Sequence, residues 1–277
     1  MPELPEVEVL RRDLEKEVVG KRIKSVEVNL PRIVRRHKEV AEFTGRLVGT
    51  KIRRVGRRGK YLLLHLDSNE VLVVHLGMTG RLLLIKGRRP PGTAVHVVID
   101  FTQGGKLRFE DLRTLGEMFV SDADGLDSVA ELRHIAIDPI DDAFTWQALS
   151  AKMVSKKGKL KPLLMDQTFI SGIGNVYSDE ILWHAGLRWD RGSDTLASQE
   201  VRRLYRAIQE VLQEGMQCRG VSLADQAYVD LYGEPGEFQT RLKVYGRIGL
   251  SCRRCRSAIT REKVSGRNTY FCPRCQS

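Results

Sequence analysis

Four cysteines near the end of the chain, spaced as Cys252-x2-Cys255, sixteen residues, then Cys272-x2-Cys275, confine their stretch more tightly than any other feature of the sequence confines its own. Two such pairs on adjacent hairpin turns place four thiolates tetrahedrally about one zinc ion, and the spacing is that of a zinc ribbon. A hairpin of about 25 residues buries too little apolar surface to hold itself together, so its metal must supply the folding energy. Two disulfides would satisfy the same spacing but need an oxidising compartment. The N-terminus carries Glu3, Glu6 and Glu8 where an export signal would have Lys or Arg followed by an apolar core, and the expectation is therefore zinc. Four sulfurs leave no coordination position open, so the single ion is structural. Cys218 stands apart and reads as an incidental thiol.

Charge points to the class of partner. The 277 residues carry a formal net charge of +11, and each Lys or Arg that neutralises a phosphate releases condensed counterions. The distribution says more than the total. From Arg241 onward the chain holds Arg241, Lys243, Arg247, Arg253, Arg254, Arg256, Arg261, Lys263, Arg267 and Arg274 against the single acid Glu262, which is the electrostatic footprint of a nucleic-acid binder. The longest apolar runs, Val71–Val74 and Leu82–Ile85, are strand-sized and far short of the roughly 20 residues a membrane helix needs, so no membrane partner is expected.

Periodicity changes along the chain. From Pro5 to Val18 the apolar Val7, Leu10, Leu14 and Val18 recur at helical spacing, with Gly20 as a stop. From Arg22 to about Asp122 the pattern becomes short Val, Ile and Leu runs, among them Lys60–Leu66, Glu70–Leu76, Gly80–Ile85 and Val95–Phe101, separated by turn signals such as Gly104-Gly105. This predicts a two-layer β-sandwich with an N-terminal helix over residues 1–122. An acidic, irregular linker, 123–145, follows. Helical signals then predominate over 146–235, at Trp146–Val154, Leu160–Thr168, Val176–Ala185 and Gln199–Met216, and the cysteine hairpin occupies 241–277. The whole reads as an α+β multidomain protein.

A proline in second position, as in the opening MPELPEVE, is by itself only a stiff start. Removal of Met1 would turn Pro2 into a free secondary amine. A terminal amine titrates near 8 and a lysine near 10.4, so roughly a tenth of the former but well under a thousandth of the latter is unprotonated at neutral pH. Attack of that amine on the anomeric carbon of a deoxyribose expels the base and leaves an iminium, with the adjacent Glu3 placed to supply a proton.

That start, together with RRGKYLLL at 57–64, HLGMTG at 75–80, MDQTFISGIGNVYSDE at 165–180 and the terminal zinc finger, resembles the formamidopyrimidine-DNA glycosylase family, in the family's order and over essentially the whole chain. The resemblance implies a bifunctional DNA glycosylase and apurinic/apyrimidinic lyase of base excision repair. Such enzymes remove 8-oxoguanine and formamidopyrimidines from double-stranded DNA, then carry out β,δ-elimination, acting as monomers in the cytoplasm at the nucleoid with no cofactor beyond zinc. It assigns Pro2 as nucleophile, Glu3 as general acid, Glu6 to sugar ring opening, Lys60 to β-elimination, and Arg267 to phosphate binding and δ-elimination. Without the motif, Lys60 would read as a strand-edge charge facing solvent.

It further implies that the helical domain is a helix-two-turns-helix unit in which Asn175 and Lys156 meet phosphates; from the sequence, Asn175 also suits the N-cap of the helix that follows GIGN. A base to be excised must leave the duplex, and Met78, a flexible apolar side chain, matches the residue that fills the gap. Two features depart from the family. Its DPRRFG-like motif reads EDLRTLG here, so Arg113 addresses the orphaned base and Leu115 replaces an aromatic wedge. Its HxH loop reads Ala94-Val95-His96, leaving His96, with the lost contact either missing or supplied by Arg88 or Arg89. Two alternatives stand beside this reading: the pyrimidine-directed endonuclease VIII branch and a non-catalytic lesion sensor. Leu4 and the long segment 215–236, able to cap a flipped purine, favour the purine-directed branch over the first. Pro2, Glu3 and Lys60 together count against the second.

Overall fold

The computed structural model describes residues 1–87, 92, 94–223 and 228–277, so Arg88 and Arg89 lie outside the described residues, as do four residues of the segment 215–236. Helix α1 (Leu4–Val18) begins with Pro5 in its first turn and a reciprocal cap: the Glu3 carboxylate accepts a backbone N–H from Glu6, and the Glu6 carboxylate accepts the Glu3 N–H at 2.8 Å. Val7, Leu10, Leu14 and Val18 are buried on one face, as their spacing predicts.

Among the described residues, eight strands and two short α-helices complete the first part of the chain: β1 (Ile23–Val28), α2 (Val40–Leu47), β2 (Ile52–Arg58), β3 (Tyr61–Leu66), β4 (Glu70–His75), β5 (Gly80–Ile85), β6 (Val95–Phe101), β7 (Lys106–Asp111), β8 (Glu117–Asp122) and α3 (Ala130–Arg133). They form two antiparallel sheets, ordered β1-β6-β7-β5 and β2-β3-β4-β8. Leu62, Leu64, Leu72 and Val74 of one sheet share a core with Leu82, Leu84, Val97 and Ile99 of the other and with the apolar face of α1. This is the expected sandwich. The β2–β3 turn is only two residues long, Gly59 and Lys60, with Gly59 at φ 57, the positive value such a turn requires at its first central position.

The later part contains α4 (Trp146–Ser155), α5 (Leu160–Met165), α6 (Asn175–Ala185), α7 (Ser198–Gln217) and the hairpin β9 (Thr260–Val264) and β10 (Arg267–Phe271). Helix α5 stops short of the predicted Thr168 because the Asp166 carboxylate takes the Thr168 N–H at 2.8 Å and turns the chain. Helix α7 buries Val201, Leu204, Ile208, Val211 and Leu212, while Tyr205 is only half-buried. Packing divides the chain into two units, 1–133 with 218–239 and 134–217 with 240–277.

Residues 218–223 and 228–235, expected to continue the helical region 146–235, thus pack with the sandwich. Arg219 binds the carboxylates of Asp13 and Asp230, the Val221 N–H donates to Glu6 at 2.8 Å, and the Leu84 N–H donates to Leu231 at 2.8 Å. Gly220, at φ +87, lets the backbone pass over Glu6, where an added Cβ would stand 2.7 Å from its Cγ. Among the described residues, no helix is long and apolar enough to cross a membrane.

Candidate active site and nucleic-acid interface

Pro2 and Glu3 are buried at the head of α1. Glu3 is held on both sides, its carboxylate by the cap and its N–H by Glu6. Lys60, 8% exposed, is not the solvent-facing edge charge that its type alone would suggest. Helix and turn are fastened together by groups the sequence did not single out: Arg57 Nε meets the Glu8 carboxylate at 3.0 Å, and Arg57 Nη1 donates to the Gly59 carbonyl at 2.9 Å. Burial would raise the Glu8 carboxyl, but hydrogen bonds and charge from Arg11 and Arg57 outweigh it and hold Glu8 below the usual range. His75, the last residue of β4, opposite Tyr61 of β3 and stacked on it at 4.5 Å, is pushed down to about 4 by burial, with the Lys60 charge adding to the effect and Glu117 opposing it. It stays neutral beside the lysine. Its place in HLGMTG was the one signal that could have found it.

Met78, His96, Arg113 and Leu115 come together on the same unit. Met78 and Leu115 are 40% and 41% exposed, and Arg113 Nη1 lies 3.2 Å from the Met78 sulfur. His96 Nε2 donates to the Asp111 carbonyl at 2.7 Å, since a carbonyl only accepts.

The other predicted residues belong to the second unit. Asn175 is not the cap: Gly174 holds that position and Asn175 is the first helical residue of α6, its Nδ2 donating to the Tyr245 hydroxyl at 3.4 Å and its Oδ1 buried without a partner. A glycine cap offers no side chain, so the reading of Asn175 as N-cap fails on backbone geometry. Lys156 places its ammonium on the Asp166 carboxylate and, at 3.0 Å, the Thr168 hydroxyl. Asp166 in turn lines a cavity of about 180 Å3 with Lys161, Met165, Ser265 and Arg267.

Helix α6 organises this surface through two buried carboxylates. Glu180 accepts the N–H groups of Lys243, Val244 and Tyr245 at 2.8, 2.9 and 2.8 Å. Asp179 pairs with Lys161 at 2.7 Å and accepts the Tyr270 N–H at 2.8 Å; burial pushes it up to about 7 against the pull of Lys161. Neither these acids nor Tyr245 carried a spacing signal.

The four cysteine sulfurs all lie within 4.8 Å of one another. Thiolates about 2.3 Å from one ion in a tetrahedron stand about 3.8 Å apart, and the Cys252–Cys275 and Cys255–Cys272 separations are 3.9 and 3.4 Å. Cys252 also receives the Trp183 indole N–H and the Arg254 N–H, each at 3.4 Å, and such donors favour the thiolate that binds metal. The set is positioned to hold one zinc ion.

Residues 1–118 match the formamidopyrimidine-DNA glycosylase N-terminal domain, residues 135–227 the H2TH domain of the same enzyme, and residues 249–277 a zinc finger found in FPG and IleRS. The formamidopyrimidine-DNA glycosylase of Heliobacterium modesticaldum is 45% identical, with 100% of both chains covered. Lactococcus lactis Fpg in complex with an abasic site containing DNA has a TM-score of 0.91 at 34% identity, and its complex with a Fapy-dG containing DNA 0.89 at 34%, each covering 99% of both chains. The chain belongs to the formamidopyrimidine-DNA glycosylase family.

Proposed function

We propose that the protein excises oxidised purines, 8-oxoguanine and formamidopyrimidines, from double-stranded DNA and then cleaves the resulting abasic strand, working as a monomer at the nucleoid. The observation that carries this reading is the head of α1: Pro2 is buried beside a doubly held Glu3, on the same unit as a buried Lys60 whose turn is tied to that helix through Arg57 and Glu8.

The Pro2 nitrogen, freed by removal of Met1, attacks C1′ of the damaged nucleotide. The glycosidic bond breaks, and the base leaves with a proton from Glu3. The C1′–O4′ bond then opens with the help of Glu6, O4′ taking the proton that the Pro2 nitrogen gives up, and the iminium so formed acidifies C2′; loss of a C2′ proton, assisted by Lys60, expels the 3′ phosphate in β-elimination. A second elimination expels the 5′ phosphate, held by the guanidinium fork of Arg267, and water then hydrolyses the iminium.

Asn175 and Lys156 bind flanking phosphates. The glycine-capped start of α6 suits an anion, and a phosphate can displace Asp166 from Lys156, since exposed ion pairs are weak. Met78, Arg113 and Leu115 fill the space left by the everted base, and His96 holds a neighbouring phosphate. Zinc supplies no chemistry; it stiffens the hairpin that carries Arg267.

Borohydride reduces an iminium to a stable amine, so the processed protein is expected to become covalently trapped on an oligonucleotide containing 8-oxoguanine, with the sugar on Pro2 by mass spectrometry. Pro2→Gly and protein retaining Met1 should give no such adduct. Better trapping on thymine glycol or dihydrouracil would assign the pyrimidine-directed activity instead. Binding without any adduct would reduce the protein to a lesion sensor.

A further inference from the structure

Met78, His96, Arg113 and Leu115 come from separate strands and loops, yet all four are tied to one buried acidic residue. Asp111, the last residue of β7, is 1% exposed. Its Oδ1 accepts the Thr79 hydroxyl, next in sequence to Met78, and the Arg113 N–H at 3.1 Å. Its Oδ2 accepts the N–H of Gly116, next to Leu115, at 2.7 Å, and its carbonyl accepts His96 Nε2–H at 2.7 Å. The Thr79 oxygen closes the circuit by accepting the Arg113 N–H at 3.1 Å.

The two loops meet without room for adjustment. A Cβ on Gly77 (φ +60) would fall 2.6 Å from the Gly116 nitrogen, and one on Gly116 would stand 2.6 Å from the Phe109 ring and 3.2 Å from Asp111 Oδ2. Between them Thr114, a β-branched residue, is held at φ 52 in the left-handed region, a conformation that persists only where surrounding bonds impose it.

We propose that Asp111 is the positioning residue of the inserting wedge. Its carboxylate sets Met78, Arg113 and Leu115 in one fixed arrangement, so that they enter the duplex together without first being ordered there, and its carbonyl orients His96 toward the adjacent phosphate. Asp111 touches no DNA itself. The proposal rests on the reading of Met78, Arg113 and Leu115 as inserted residues.

The test places 2-aminopurine, a base whose fluorescence rises on unstacking, beside 8-oxoguanine in a duplex and follows it after rapid mixing. Asp111→Asn presents an amide NH2 to one of its N–H donors, and the unstacking rate and the excision rate are each expected to fall about tenfold or more, the scale on which a buried unsatisfied donor acts. Strand cleavage at a preformed abasic site, where no base has to be expelled, should change by less than about threefold. Thr79→Val should give a smaller loss in the same two rates, and Thr79→Ser, which keeps the hydroxyl, should restore them.

Met78→Ala and Leu115→Ala separate the two levels of argument. If they leave unstacking intact, the inserted-residue reading fails and this proposal with it. If they slow it while Asp111→Asn and Thr79→Val do not, the positioning role alone is overturned. Equal loss of abasic-site cleavage and unstacking in Asp111→Asn and Thr79→Val would mark Asp111 as a general support of the fold and would also overturn it.

Discussion

The sandwich and the C-terminal hairpin both have to hold a few polar side chains still at a surface, and they do so by opposite means. In the sandwich, α1 and two four-stranded sheets close over one apolar core, and polar groups such as Glu8 and Asp111 are anchored at its edge. The hairpin has almost no core: Trp183, Val244, Cys252, Ile259 and Cys272 make up its buried cluster, and two of these are zinc ligands. Thiolates and the carboxylates of Asp179 and Glu180 replace burial there. A region assembled by burial should resist reagents that a region assembled by ligation and charge does not.

The largest expected effect is from a chelator. Structural zinc in small fingers supplies an apparent ~10–16 kcal/mol, so its removal should expose the amides of 240–277 to rapid hydrogen exchange while those of β3, β4 and β8 remain protected. Equal loss in both regions, read peptide by peptide by mass spectrometry, would break the comparison.

Next comes Glu180→Ala. It strips three N–H groups, that of buried Val244 and those of half-buried Lys243 and Tyr245, of their acceptor, and at ~1–3 kcal/mol for each unsatisfied group, with incomplete additivity, the second unit should lose about 3–5 kcal/mol in urea unfolding.

The smallest effect is on pH, and its sign differs between the units. His75 is held near 4 in the folded chain, so between its unfolded value of about 6.5 and 4 the unfolded state takes up the proton first. Stability from this group is complete above 6.5 and declines as pH falls to 4, by up to about 3 kcal/mol. Asp179 is pushed up to about 7, so over the same range the native state binds the extra proton, and this group favours the fold at lower pH. Urea melts of the sandwich from pH 7 to 4 should therefore weaken, and His75→Gln should flatten that slope.

Some of this was written plainly in the chain. Four of the eight strands were read within a residue of their ends, because a short apolar run bounded by turn residues is a property of neighbours. The helix over 4–18 and the cysteine set were legible for the same reason: spacing along a helix or across a hairpin is local. Lys60 was harder, since only its motif argued against a solvent-facing charge, and Asn175 was misread as a cap because GIGN does not say which residue leaves helical geometry first.

The sequence by itself determined the first helix, half the strands of the sandwich, the zinc ligands and the order of the motifs, since each depends on residues a few positions apart. Only the tertiary structure decided which groups those elements bring together. Glu6 meets Val221 across 215 positions, Asp179 meets Tyr270 across 91, and Asp111 meets Thr79 across 32. Such pairings follow from how whole sheets and helices pack, and no spacing rule records them, because the energy that selects them is the burial and hydrogen bonding of the complete fold.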